Sequence, residues 1–141
     1  MKPGDYSDTL RSVGWFLDMV SARTIEVALY EEGVAVSFGV DGHREVRKYG
    51  VAEVDGLRST TRLFRGLDAR WPGADMSHTL RVLGSDLDAL EAQTFTIAED
   101  VDSFELLAVA DGNALERSYP RAQLQERAEQ MVAGRGPEVI S

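Results

Sequence analysis

The segments TLRSVGWFLD (residues 9–18) and TLRVLGSDLD (residues 79–88) encode nearly the same helix twice, once in each half of the chain. In both segments leucine and valine recur three or four residues apart, which is the spacing of a helix with one buried face. The sequence therefore predicts two equivalent amphipathic helices in one chain.

The similarity extends well beyond these helices. Residues 5–66 align with residues 75–136 without a gap, and more than a quarter of the aligned pairs are identical. Ordinary composition would give about one chance identity in sixteen. We interpret the chain as an internal duplication in which residues 1–70 form the first repeat unit and residues 71–141 the second. The two units are expected to share one compact, pseudo-dimeric domain.

Each unit is predicted to run helix, two or three strands, helix. The alternating segments TIEVALY (residues 24–30) and VAVSFGV (residues 34–40) are typical of strands with one buried face. Asp41-Gly42 and Asp111-Gly112 favour tight hairpins, because both central residues of a type I′ turn need positive φ. A third, polar strand is expected to end at a tyrosine in each unit.

The helix ends also carry local signals. Asp5 or Ser7, and their counterparts Asp75 or Ser77, are suited to cap the first helix of each unit with their own side chains. The closing helices are predicted over residues 52–66 and from Pro120 to about Ala133, each ending at a glycine. Residues 67–77, which include Pro72-Gly73, are predicted to link the units.

These elements predict an α+β fold. A three-stranded unit of this size buries little surface alone, so two units are expected to pack about a pseudo-twofold axis. We expect antiparallel sheet, either merged or separate, with the helices packed on one face.

Gly14 and Gly84 lie in the middle of the first helices, where glycine costs about 1 kcal/mol relative to alanine. Close approach of the two helix backbones would explain both glycines. If the helices cross antiparallel at the glycines, four charged residues would meet as two reciprocal ion pairs: Arg11 with Asp88, and Arg81 with Asp18. The same four residues would also suit a polar site for an anionic substrate between the halves, with paired carboxylates and arginine clamps. Equivalence by duplication favours the ion pairs.

The two copies differ on the other face of the first helix. The first unit has the apolar residues Trp15, Phe16 and Met19 where the second has Ser85, Asp86 and Ala89. Aromatic and methionine side chains are enriched at the centres of protein interfaces, so these residues form a candidate interaction patch. The alternative is that the C-terminal tail or the linker around Trp71 covers them.

A second difference lies in the closing helices. Arg58, Arg62 and Arg65 form a basic stripe that the second unit largely lacks. Such a stripe is a candidate docking site for an anion or an acidic partner, and its alternative interpretation is a solvated helix face.

Composition narrows the function classes. The chain has no cysteine, which excludes thiolate chemistry. Its formal charge of −9 disfavours nucleic acid and anionic membranes as partners. No nucleotide or nucleophile motif occurs, and neither His43 nor His78 has a second ligand at metal-binding spacing, so no metal or cofactor is predicted. The first residues lack a signal peptide's apolar core and the longest apolar run is too short to span a bilayer, so a cytoplasmic location is expected.

We therefore predict a non-enzymatic cytoplasmic protein-interaction or adaptor module, which binds a protein partner or itself as a homodimer. The alternative is a small-ligand-binding protein or enzyme with a pocket between the two halves.

Overall fold

The computed structural model describes residues 4–30, 33–63 and 75–140, and these ranges hold four helices and six strands. The fold is α+β with an antiparallel sheet, as the sequence predicts. In chain order the elements are α1 (Tyr6–Met19), β1 (Arg23–Tyr30), β2 (Gly33–Val40), β3 (His43–Gly50), α2 (Val51–Leu63), α3 (Asp75–Leu90), β4 (Thr94–Glu99), β5 (Ser103–Ala110), β6 (Asn113–Pro120) and α4 (Arg121–Ile140).

All six strands belong to one sheet, in the order β3-β2-β1-β4-β5-β6, and every neighbouring pair is antiparallel. The two three-stranded meanders join at the centre, where β1 pairs with β4 and Val27 lies opposite Ile97. The sheets of the two predicted units are therefore merged into one.

In the part of the chain that the structure describes, one face of the sheet is buried and the other is not. Side chains alternate between the faces of a strand, and on β5 the buried Phe104, Leu106 and Ala108 alternate with the exposed Glu105 and Leu107. The buried face packs with α1 and α3 into a single core. Its largest fully buried side chains are Tyr6, Phe38, Phe95, Phe104, Leu10, Leu17, Ile25, Leu80, Leu83, Leu87, Ile97 and Leu106.

The two predicted hairpin turns are confirmed. Asp41 and Gly42 have φ of 51° and 80°, and Asp111 and Gly112 have φ of 55° and 74°. Both central residues of each turn are thus in the left-handed region that the type I′ geometry requires.

The second closing helix differs at both ends from the sequence prediction, whereas the predicted end of the first, at Gly66, lies outside the described residues. Pro120 is the last residue of β6, and α4 runs from Arg121 to Ile140 without stopping near Ala133. The amide of Arg121 donates to the carbonyl of Asp102 at 2.9 Å, so a backbone contact to the β4–β5 connection marks the start of this helix.

Two predicted connections fall outside the described residues. They are the turn at residues 31 and 32 and most of the linker, including the boundary between units 1–70 and 71–141. Within the described ranges, no helix combines the length and apolar character needed to cross a membrane.

Candidate functional site

The helices α1 and α3 lie in direct backbone contact. A Cβ built on Gly14 would be 2.5 Å from Cα of Ser77 in the first turn of α3, and one on Gly84 would be 2.7 Å from Cα of Ser7 in the first turn of α1. Since each glycine meets the first turn of the other helix, the two helices run antiparallel. The prediction that the glycines meet each other at one crossing is wrong, because the small serines of the opposite first turns fill the space beside them.

The carboxylate of Asp88 caps the start of α1 from the end of α3. It accepts the amides of Gly4 and Tyr6 on Oδ1, both at 2.9 Å, and the amide of Ser7 on Oδ2 at 3.0 Å. Two otherwise free amides of the first turn, those of Tyr6 and Ser7, and the amide of Gly4 just before the helix are thereby satisfied. A negative charge also sits at the positive end of the helix dipole.

Asp18 does the same for α3. It accepts the amides of Met76 and Ser77 at 3.1 and 3.0 Å. The predicted capping of α1 by its own Asp5 is wrong, because Asp5 adopts an αR backbone conformation and its side chain makes no capping bond. The caps come from the neighbouring helix instead.

Serine hydroxyls complete the contact between these helices. Ser77 Oγ donates to the carbonyl of Arg11 at 3.0 Å, and Ser7 Oγ donates to the carbonyl of Arg81 at 3.3 Å. Ser7 and Ser77 thus bind the opposite helix, rather than capping their own.

The four predicted polar-site residues do not share one place. Eleven residues separate Ser7, which Asp88 caps, from Asp18, so the two carboxylates lie about 16 Å apart along α1. Paired carboxylates that act on one substrate lie within about 10 Å of each other. Arg11 is 7 % exposed and Arg81 is half-buried. Pairing of these arginines with Asp88 and Asp18 remains a prediction.

The candidate patch on α1 divides into an inward and an outward part. Phe16 is half-buried and makes edge-to-face contacts with Phe38 and Tyr49, at ring-centroid distances of 5.8 and 6.3 Å. The guanidinium of Arg47 lies 5.0 Å from the Phe16 ring centroid. Phe16 therefore anchors α1 to the edge of the sheet.

The other two predicted residues of the patch differ in exposure. Met19 is 51 % exposed, and Trp15 is half-buried. They lie four residues apart and hence on the same side of α1. Together they present apolar surface near the end of the helix.

A polar cluster occupies the corresponding place in the second half. Asp86, which aligns with Phe16, accepts two hydrogen bonds from Arg127 at 2.7 and 2.9 Å and one from the Tyr119 hydroxyl at 2.9 Å. Tyr119 aligns with Tyr49, and Arg127 with Leu57. The exchange of Phe16 for Asp86 is plain in the sequence, but the cluster itself was not predicted from it. The same alignment replaces Leu57 by Arg127, and this second exchange from apolar to charged could have indicated that Asp86 and Arg127 pair.

The cluster also has the clearest electrostatic consequence. Hydrogen bonds from Arg127 hold the pKa of the Asp86 carboxyl below its ordinary 3.8, although partial burial acts in the opposite direction. Burial raises the pKa of the Tyr119 hydroxyl. Because each shift has a structural cause in the packing of α3, α4 and β6, we assign this cluster to stability rather than to chemistry.

The predicted anion-docking stripe is only partly within the described structure. Arg58 and Arg62 belong to α2, but their side chains, like the whole of Arg65, lie outside the described residues. Docking of an anion on this stripe therefore stays a prediction.

The two histidines lie on different elements of the fold. His43 is exposed and begins β3, whereas His78 lies in the first turn of α3. Within residues 4–30, 33–63 and 75–140, no three His, Cys, Asp or Glu side chains are grouped as metal ligands would be. A shallow depression of about 540 Å³ lies on β4, β5 and β6, and another of about 550 Å³ lies beside the β2–β3 turn.

No protein-family model matches the chain, and neither a curated protein nor a solved structure matches it.

Proposed function

We propose that the chain is a non-enzymatic, cytoplasmic protein-interaction module built from two duplicated halves about a pseudo-twofold axis. The pairing at the centre of the sheet supports the axis. Val27 and Ile97 occupy equivalent positions in the two repeat units, and they lie opposite each other where β1 meets β4. A twofold axis through this pair would exchange the two halves.

The helix pair supports the same axis. The contact of Gly14 with Ser77 becomes the contact of Gly84 with Ser7 when each residue is replaced by its equivalent in the other repeat unit. Capping by Asp18 and by Asp88 is exchanged in the same way. Reciprocal contacts of this kind are those of an isologous dimer interface, here within one chain.

The proposed partner surface is the Trp15–Met19 surface, defined by these two side chains on α1. The observation that carries it is the half-exposed Met19, an adaptable apolar side chain beside an aromatic one. The matching positions on α3 are Ser85 and Ala89, so the first half alone has this surface. We infer a partner protein that offers apolar side chains to it.

The packing of the helices counts against the alternative of a ligand pocket between the halves. There is no space for even a methyl group beside Gly14 or Gly84, and Asp18 and Asp88 are engaged with backbone amides. A small molecule at this place would have to separate the two helices.

Site-specific photo-crosslinking in cells tests the proposed surface. A photoreactive residue is placed at Met19 or, as the matched control, at Ala89, which is exposed at the equivalent position of α3. We expect a discrete cytosolic adduct from position 19 and none from position 89. The partner identified in the adduct is then purified and titrated against the wild type and Met19→Glu, which should weaken binding by about tenfold or more.

Two results would count against this proposal. Equal adducts from positions 19 and 89 would show that the contact is not specific to the surface on α1. Unchanged affinity of the purified partner for Met19→Glu would show that Met19 is not at the contact.

An adduct of twice the 15.5 kDa chain mass would identify the partner as a second copy.

A further inference from the structure

The face of the sheet away from the helices forms continuous rows of side chains across all six strands. One row, read from β3 to β6 through the paired residues, is Lys48, Ala35, Ala28, Thr96, Leu107 and Glu116. We call this surface the open face. Residues paired across antiparallel strands lie on the same face of a sheet, so the six side chains of this row are neighbours on one surface.

Apolar side chains are exposed on the open face. Leu107 on β5 is 47 % exposed and Val46 on β3 is 64 % exposed. The row that contains Leu107 also contains the small residues Ala35 on β2 and Ala28 on β1, whose side chains rise little above the sheet. Leu107 therefore projects beside a shallow area that lies toward the opposite edge of the sheet.

The charges at the two edges of this face differ in sign, and the exposed Glu26 on β1 lies nearer its centre. Arg44 and Lys48 lie on β3 at one edge, and the Nε of Arg44 donates to Ser37 Oγ on β2 at 3.2 Å. Glu105 and Glu116 lie on β5 and β6 at the other edge. One edge of the face is therefore basic and the other acidic.

We propose that the open face binds a second copy of this chain, face to face, about a twofold axis parallel to the strands. This rotation keeps each row in line but exchanges its ends. Lys48 then faces the partner's Glu116, and Ala35 faces the partner's Leu107. Because of the twofold axis, each contact occurs twice. The basic edge of each copy meets the acidic edge of the other, and Leu107 of each copy lies over the small side chains of the other.

The other face-to-face arrangement is unfavourable. A twofold axis perpendicular to the strands would lay β3 on the partner's β3 and place basic residues against basic residues. Like charges opposite each other destabilise an interface, so charge selects the first arrangement.

The open face is large enough for a stable dimer. Six strands about 4.8 Å apart and eight residues long at about 3.3 Å each cover roughly 700 Å² per copy. Two copies would then bury about 1,400 Å², within the standard range for specific interfaces. This inference does not depend on the Trp15–Met19 surface, which belongs to the helix layer on the other side of the sheet.

Sedimentation equilibrium of charge-reversed variants tests the arrangement. Lys48→Glu or Glu116→Lys alone gives each homodimer two like-charge contacts, and we expect each to weaken the dimer by about tenfold or more. Mixed in equal amounts, the two variants restore both opposite-charge contacts in a heterodimer. The mixture should therefore dimerise as tightly as the wild type.

Leu107→Lys places a charge against the partner's Ala35 in both copies of this contact and should yield the 15.5 kDa monomer. The controls are Glu129→Lys on the exposed side of α4 and Met19→Glu on α1, both expected to remain dimeric. Circular dichroism and thermal melts confirm that each variant is folded.

Three results would overturn the proposal. A wild type that stays monomeric throughout the micromolar range would show that the open face is simply hydrated. Failure of the Lys48→Glu and Glu116→Lys mixture to dimerise would exclude this arrangement. Loss of the dimer in Met19→Glu but not in Leu107→Lys would place self-association on the helix layer.

Discussion

Gly14 of α1 and Ser77 of α3 leave no room for a side chain between them. A Cβ on Gly14 would be 2.5 Å from Cα of Ser77, and the atoms around it belong to the backbone of α3, which cannot move aside as the end of a side chain would. The absence of a side chain at residue 14 thus determines how closely the two central helices approach.

We expect Gly14→Ala and Gly84→Ala each to destabilise the protein by about 2 kcal/mol or more, since the methyl group would push the helices apart. Alanine is intrinsically the better helix former, so the expected sign is opposite to that of helix propensity. Urea unfolding followed by circular dichroism measures the change.

Gly56→Ala is the matched control for this prediction. Gly56 lies within α2, and a Cβ there would have no neighbouring atom within 4 Å. We expect this variant to gain about 0.5–1 kcal/mol from helix propensity. If all three alanine variants change stability in the same direction, close approach is not the reason for glycine at residues 14 and 84.

The carboxylates of Asp18 and Asp88 should each stabilise the helix that they cap. Asp18→Ala leaves two amides of α3 without this acceptor, and Asp88→Ala does the same to two amides of α1 and to the amide of Gly4 before it. We expect a loss of about 1–2 kcal/mol for each variant. Hydrogen exchange should locate the loss, with faster exchange in the first turn of α3 for Asp18→Ala and of α1 for Asp88→Ala.

Glu129→Ala, on the exposed side of α4, removes the same charge without removing a cap. Its stability should stay close to that of the wild type. Faster exchange at the mutated helix itself, with no change at the capped one, would contradict capping between the helices.

Ser21 and Glu91 occupy equivalent strained positions after α1 and α3, with φ of 54° and 53°. The amides of Ala22 and Ala92 then return to the carbonyls of Leu17 and Leu87. Glycine adopts this conformation without strain, so Ser21→Gly and Glu91→Gly should each stabilise the protein by about 0.5–1 kcal/mol. Ser21→Ala is the control and should bring no gain; a gain as large as that of glycine would refute the strain argument.

Much of the fold follows from local patterns in the sequence. The alternation in TIEVALY and the Asp-Gly pairs predict the strands and hairpins, because residue chemistry and nearest-neighbour geometry are enough to form them. Local patterns do not show which residue each side chain contacts. In the sequence, Asp88 is only a charged residue near the end of a helix, because its role as a cap for Tyr6 and Ser7 depends on the packing of α1 against α3.

The same limit applies to the candidate patch. Phe16 and Met19 are both apolar residues outside the main stripe of α1, but Phe16 contacts β2 and β3 while Met19 is exposed. The difference arises from the edge of the sheet, where side chains of β2 and β3 pack against Phe16. Spacing along one helix carries no information about where another element ends.

The stability of the protein should fall at low pH partly through Asp86. The pKa of Asp86 is lower in the folded protein than its ordinary 3.8, so its stabilising effect is complete above that value and declines as the pH falls below it. Unfolding curves of the wild type and Asp86→Asn, taken from neutral pH to below 3.8, should therefore converge at the acid end. A constant difference in unfolding free energy across this range would contradict the prediction.

The Asp86 cluster should be replaceable by the apolar arrangement of the first half. Arg127→Leu alone leaves a partly buried carboxylate without its guanidinium, at a cost of about 1–2 kcal/mol. Asp86→Phe alone deprives Arg127 of its acceptor. The double variant creates the pair found at Phe16 and Leu57.

A double-mutant cycle measures whether the two exchanges belong together. We expect the double variant to be more stable than the sum of the single changes predicts, by about 1 kcal/mol or more, because the second substitution removes the unpaired charge left by the first. Chemical unfolding of the four proteins gives this coupling energy. Strictly additive effects would mean that residues 86 and 127 act independently, and that the apolar and polar clusters are not alternative solutions to the same packing problem.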